Sequence, residues 1–309
     1  MRSTVPAIRI KPCNSKSVRA DGDFVLYWMI AARRVRDNFA LDHAVAWARE
    51  FGKPLVVVEA LRSDYRWASD RLHAFILDGM ADNAAALDGS PFHYYPYVEP
   101  ERGAGKGLLE ALSARACVIV TDDFPCFFVP RMVAAAAARV SVRMDKVDGN
   151  GIYPMDATER VFTTAASFRR HLQKELPAHL DALPRREPWH GKAGDLPTLS
   201  NLPAAIRKRW PRASRALLGD SHRGLADLPI DHSVGAVATR GGARSGEAVL
   251  RRFLAERLGR YADGRNQPED DVASGLSPYL HFGHISVHRI FRQLMERDGW
   301  SPDKLAAKA

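Results

Sequence analysis

Ser277 and Pro278 stand where a helix should begin, because serine is a favoured N-cap and proline is favoured at the first helical position. The unpaired amides and positive dipole end of such a helix face the loop Val272 to Gly275 and attract phosphate. Ser274, Gly275 and Ser277 add two hydroxyls and a backbone open to close approach. The chemistry on offer is anion binding, although an ordinary capped helix carries the same pattern. Asp122 and Asp123 follow the apolar run Ala116 to Thr121, at the end of a strand where α/β folds place ligand residues and where plain turns also occur. His281, His284 and His288 have the spacing of a metal-binding face, but HISVH lacks the glutamate of the H-E-x-x-H pattern, so no metal site is expected. Gly103, Gly105 and Gly107 around Lys106 match no phosphate-loop spacing and read as a turn. Cys13, Cys117 and Cys126 cannot all pair and have no metal-ligand spacing, which leaves reduced, structural thiols.

The elements that would position these residues fall into two styles. Asp23 to Ala31, Pro54 to Ala60, Phe92 to Val98, Ala116 to Thr121 and Arg139 to Val147 are strand candidates. Helical patterns at Asn38 to Phe51, Ser69 to Leu87 (with Ser69 as N-cap), Gly107 to Ala114 and Pro130 to Ala138 alternate with them. Repeated βα units imply a doubly wound α/β domain with a parallel sheet over residues 1–183. From 184 to 240 the periodicity gives way to prolines and the cluster Arg207, Lys208, Arg209, Arg212 and Arg215, a basic connector. Helical order returns over 241–309, with a helix from Ser245 to Tyr261 and another from Ser286 to about Arg297.

The 309 residues are 46% hydrophobic and 26% charged, enough for two globular domains. No apolar run approaches the roughly 18 residues of a membrane span, and Met1 to Cys13 lacks a signal-peptide core, so a cytoplasmic protein without a membrane partner is expected. The net charge of +9 favours a polyanionic partner. Fifteen Lys or Arg against seven Asp or Glu lie between Arg185 and Arg260, so that window carries nearly all of the excess.

Tyr261, Arg265, Asn266 and Pro268, followed by SGLSPYLHFGHIS at Ser274 to Ser286, resemble the flavin-binding segment of the photolyase and cryptochrome family. VLYWM at Val25 to Met29, Arg34-Val35, Asp37-Asn38 and PLVVVEAL at Pro54 to Leu61 resemble its class II cyclobutane pyrimidine dimer photolyases. The resemblance implies an α/β domain followed by the start of an all-helical FAD-binding domain. It implies that Tyr261 and Ala273, Ser274, Gly275, Leu276 and Ser277 touch FAD, the serines and the backbone near its phosphates, and that Arg265 faces DNA. A solvated loop charge is the alternative for Arg265.

By the same resemblance the partner is DNA containing pyrimidine dimers, bound by a monomer through phosphates whose natural surface is the basic window. The lesion turns out of the stack, and light-excited, reduced FAD lends it an electron. A second, antenna chromophore of open identity would sit in the first domain. The sequence departs from the family at Ala32-Arg33-Arg34 and at Ala273, where a polar residue is usual and one phosphate-side hydrogen bond is missing. The family's helical domain continues beyond the point reached at Ala309, with the rest of the flavin pocket and the photoreduction tryptophans. Trp28, Trp47, Trp67, Trp189, Trp210 and Trp300 are therefore assigned to packing. A cryptochrome-like photoreceptor without repair and an inactive remnant are the alternative functions.

Overall fold

Apolar runs without alternation form the centre of the sheet, as expected for strands covered on both faces. In the computed structural model, which describes residues 5–191, 195–219 and 223–305, these are β2 (Phe24–Met29), β3 (Leu55–Leu61), β4 (His93–Val98) and β5 (Ala116–Asp122). With β1 (Ile10–Pro12) and β6 (Met144–Val147) they make a six-stranded sheet in the order β1-β6-β5-β2-β3-β4, parallel except for β1. The expected α/β architecture, with a parallel-dominated sheet followed by helices, is what the chain adopts. Parts of the sequence reading, namely residues 1–4, 192–194, 220–222 and 306–309, lie outside the described residues.

Strand alternation sorts the core into two layers. Val25, Tyr27 and Met29 with Leu55 and Val57 pack under α1 (Phe39–Phe51). Phe24, Leu26, Val56 and Val58 pack on the other face, under α3 (Leu108–Ser113) and α4 (Val129–Arg139). Helix α2 (Asp70–Ala86) covers Leu61 and Val98 on the α1 side. Asn38 caps α1, its side chain accepting from the amides of Ala40 and Leu41, and Gly52 ends the helix in the left-handed region.

Three boundaries differ from expectation. The last strand is only Met144–Val147, because Arg139 closes α4 and the chain must turn before it pairs with β5. Ser69 makes no side-chain cap bond; it sits extended and bridges to Asp231. The helix expected from Ser245 starts earlier, as α8 (Gly242–Arg252), and runs through a π-helical stretch, Phe253–Arg257, into α9 (Leu258–Gly264). Between the sheet and α8 come α5 (Ala165–Glu175), which has no buried residue, α6 (Ala204–Arg209) and α7 (Arg215–Gly219). The proline-rich stretch packs on both layers: Trp189 and Leu196 on the α1 side, Leu202, Ile206 and Trp210 on the α3 and α4 side.

After α9 come α10 (Ser277–His281) and α11 (Val287–Asp298), the latter capped by Ser286. This helical layer docks on the α1 and α2 side through glycines that allow backbone to touch backbone. A Cβ on Gly241 would lie 1.9 Å from the carbonyl oxygen of Phe75, and one on Gly283 1.9 Å from that of Ala31. One on Gly79 would lie 2.4 Å from Nε2 of His284. Around Gly283 the buried Arg34 donates to its carbonyl at 3.0 Å, and Arg292 of α11 pairs with Asp37 at 3.0 Å.

Candidate functional site

Tyr261 stands on α9, Arg265 directly after it and Ala273 to Ser277 on the turn into α10, whereas Asp122 ends β5. Tyr261 of α9 is half-buried, its ring edge-on to Phe253 at 5.2 Å. The Arg265 guanidinium lies 5.8 Å from the centre of the Tyr261 ring, with its head in solvent. The chain returns past Val272, which is buried, to Ala273, whose carbonyl accepts from Arg257 at 3.2 Å. Arg257 also pairs with Asp271. Ser274 Oγ accepts from the Leu276 amide at 3.4 Å, Gly275 adopts φ +70°, and Leu276 turns its side chain into a cluster with Phe75, Leu250, Phe253 and Tyr279.

Ser277 is exposed and is the first residue of α10, which corrects its expected role as the cap. Leu276 holds the cap position in helical backbone without any side-chain cap bond, because its side chain is drawn into the core. The helix has only five residues, so its dipole adds little. What the turn presents is its donors: the exposed amides of Gly275 and Ser277 and the Ser277 hydroxyl, which have no acceptor among the described residues. Leu276 can contribute backbone alone.

The carboxyl edge of the sheet is built differently. Asp122 Oδ2 accepts from the amides of Ile30, Ala31 and Ala32 at 2.9, 2.7 and 2.9 Å, and Oδ1 from the Tyr27 hydroxyl at 2.7 Å. Both oxygens are thus spent on shaping the turn after β2, the plain-turn alternative read from the sequence. Asp123 pairs with Lys146 at 3.0 Å. Glu59, fully buried, accepts from Arg33, Asn83 and the Tyr94 hydroxyl at 3.0, 2.9 and 2.7 Å. The sequence reading passed over Glu59 because it sits inside an apolar strand run.

Near this edge lies a cavity of about 500 Å³, lined by Trp28, Arg33, Tyr65, Phe124, Phe127 and Phe282 among others. Trp67 and Phe127 stand exposed at it, and Phe127 adopts a left-handed φ of 59° that a phenylalanine rarely takes. Burial pushes the Tyr65 hydroxyl up to about 12 and the stacked His73 down to about 4, so both stay neutral at pH 7. The signal for this cavity was the aromatic run FPCFF directly after the fifth strand. Tyr261, Arg265 and Ala273 to Ser277 do not line it.

His284 and His288 are buried, and burial together with nearby arginines depresses each to about 3. His284 Nδ1 accepts from the Gly242 amide at 2.9 Å, so its place is in the glycine interface. Among the described residues no group of three His, Cys, Asp or Glu is placed to hold a metal ion, and no helix is long and apolar enough to cross a membrane.

No family model matches the chain. It is 26% identical over 283 residues to a deoxyribodipyrimidine photo-lyase of Methanothermobacter thermautotrophicus, covering 91% of this chain and 58% of that protein. It is 28% identical over 288 residues to a deoxyribodipyrimidine photo-lyase of Potorous tridactylus, covering 91% of this chain and 49% of the relative. The chain thus spans about half the length of the curated relatives it matches. A class III photolyase of Agrobacterium tumefaciens superposes with a TM-score of 0.61 at 16% identity, over 94% of this chain and 57% of that structure, which shows a shared fold. The relatives that match along most of this chain are thus named deoxyribodipyrimidine photo-lyases, and the Agrobacterium structure shares its fold.

Proposed function

We propose that this chain forms the α/β layer and the first flavin-binding helices of a class II photolyase that repairs cyclobutane pyrimidine dimers in DNA with light. The observation that carries the reading is the Ser274 to Ser277 turn, which leaves donors unspent between α9 and α10 in a helical layer docked to a parallel sheet. The donor set fits a dinucleotide such as FAD. A Cβ on Gly275 would meet only Val249, at 3.4 Å, so the backbone there is open, and hydroxyls with amide donors suit a pyrophosphate.

In this reading the Ser274 and Ser277 hydroxyls and the Gly275 and Ser277 amides hold the phosphates, the Leu276 amide being tied to Ser274 Oγ, and Tyr261 packs beside them. The missing polar side chain at Ala273 leaves its carbonyl to Arg257, which fixes the loop from behind. Arg265 reaches toward the DNA backbone. Bound and reduced, FAD would supply the photo-excited electron that opens the cyclobutane ring and then regain it. The aromatic cavity above β2 and β3 takes the second chromophore, a planar and largely apolar pigment.

Flavin binding to the purified chain tests the reading directly, followed by absorbance and fluorescence. Ser274→Ala and Ser277→Glu are expected to weaken binding, the second tenfold or more, while the melting temperature stays within about 2 °C. A folded chain that takes up no flavin, or one whose affinity ignores both substitutions, overturns the site. Loss of dimers from UV-irradiated duplex under blue light then separates repair from the photoreceptor alternative, which predicts bound flavin and unrepaired DNA.

A further inference from the structure

The sheet face opposite the helical layer carries a concentration of positive charge that the flavin reading leaves unused. Helix α6 is anchored there from below. Ile206 and Trp210 are buried against the β2, β3 and β5 layer, the Trp210 indole donates to the Ala104 carbonyl at 2.9 Å, and the Tyr95 hydroxyl donates to the Trp210 carbonyl. Gly107 lets the helix sit on the loop after β4, since a Cβ there would touch the Trp210 ring at 3.4 Å and approach the Arg209 guanidinium at 3.9 Å.

What this anchoring presents to solvent is Lys106, Arg207, Lys208, Arg209 and Arg212, all exposed. None of them has an ion-pair partner among the described residues. Of the two carboxylates in the loop, Glu101 is exposed and Glu99 is buried, accepting from the Gly105 and Ser63 amides at 3.0 and 2.9 Å. Two of the arginines are held in place: Arg209 lies over Trp210 at 4.5 Å and Arg207 donates to the Leu202 carbonyl at 2.9 Å. A pre-ordered guanidinium loses less freedom on meeting a phosphate.

We propose that this α6 surface is a second DNA-contacting face, which grips the phosphate backbone of duplex DNA without reading sequence or lesion. It deepens the photolyase reading and rests on it for the choice of DNA as the polyanion. The choice of a duplex has its own support. Trp210 is only 3% exposed, and no large aromatic side chain stands exposed in this patch, so there is no platform on which unpaired bases could stack. The same lack of exposed apolar side chains gives a lipid surface nothing to hold beyond its charge.

The test is the salt dependence of affinity for an undamaged duplex, compared between the unaltered chain and Arg207→Gln/Lys208→Gln/Arg209→Gln. Each lost phosphate contact lowers the slope of log K against log salt by about 0.9, so the triple variant is expected to lose 2 to 3 from the slope and at least tenfold in affinity at low salt. Arg207→Gln/Lys208→Gln leaves the Arg209 stack on Trp210 intact and should lose about two thirds as much. Arg169→Gln/Arg170→Gln/Lys174→Gln removes the same charge from α5 and should change neither by more than twofold. Equal losses from α5 and α6 would reduce the effect to net charge and overturn the proposal, as would an unaltered slope or tighter binding to single strands. The ratio of affinities for UV-irradiated and undamaged duplex reports on the photolyase reading instead. That ratio should be the same with and without the α6 charges.

Discussion

The carboxyl edge of the sheet and the turn ahead of α10 both sit where a ligand would be sought, and they treat their polar atoms in opposite ways. At the sheet edge Asp122, Glu59 and Glu99 are buried and each is committed to at least two donors. At the turn the Gly275 and Ser277 amides and the Ser277 hydroxyl are exposed and uncommitted. A conspicuous acidic pair in a strand-end motif is therefore architecture here, while one exposed serine and a glycine carry the unspent chemistry. Location in the fold alone does not separate the two; the tally of satisfied partners does.

The sharpest way to break the comparison is at the seam. Gly283→Ala drives a Cβ into the Ala31 carbonyl at a left-handed φ of 71°, and a loss of about 3 to 5 kcal/mol is expected in denaturant unfolding. Asp122→Ala strips the acceptor from three amides and a buried hydroxyl, for which about 3 kcal/mol is expected in the same assay. If Asp122→Ala instead left stability unchanged, the edge would not be the architectural region described.

Acid comes next in size. His284 and His288 bind fewer protons folded than unfolded, because burial holds them near 3 against an ordinary 6.5. Their contribution is whole above about pH 6.5 and is lost as pH falls toward 3, at up to about 1.4 kcal/mol per pH unit for each. Asp42, which burial raises to about 6, works in the opposite direction below that pH and offsets part of the loss. Hydrogen exchange at pH 7, 6 and 5 should therefore show α8 and α11 losing protection before β2 and β3. The smallest effect belongs to the turn: Ser277→Ala should change the melting temperature by under about 1 °C while weakening flavin binding severalfold.

The legibility of the sequence follows the range of the interaction involved. Strands β2 to β5 were readable because each is an apolar run bounded by polar turns, and α1 because Asn38 and Gly52 punctuate it. Ile10–Pro12 was not read, since three residues with a lysine and a proline carry no periodicity and pair only because β6 offers an edge. Nor was α5, whose residues bury nothing. The turn at Ser274 to Ser277 was visible as a motif, but the capture of Leu276 by the core, which moves the cap off Ser277, depends on Phe75 and Leu250, far away in the chain. The glycine seam was invisible for the same reason. Nothing near Gly283 in sequence announces that Ala31 will lie against it.

That seam ties the two regions to a common ruler. Asp122, at the tip of β5, clamps the amides on either side of Ala31 as well as its own, and the carbonyl of Ala31 is what Gly283 rests against. A slip of β5 by one residue, roughly 3.3 Å, would be handed through this relay to α10 undiminished. Whatever occupies the aromatic cavity and whatever binds the turn are accordingly held at a separation dictated by strand register rather than by the give of a linker.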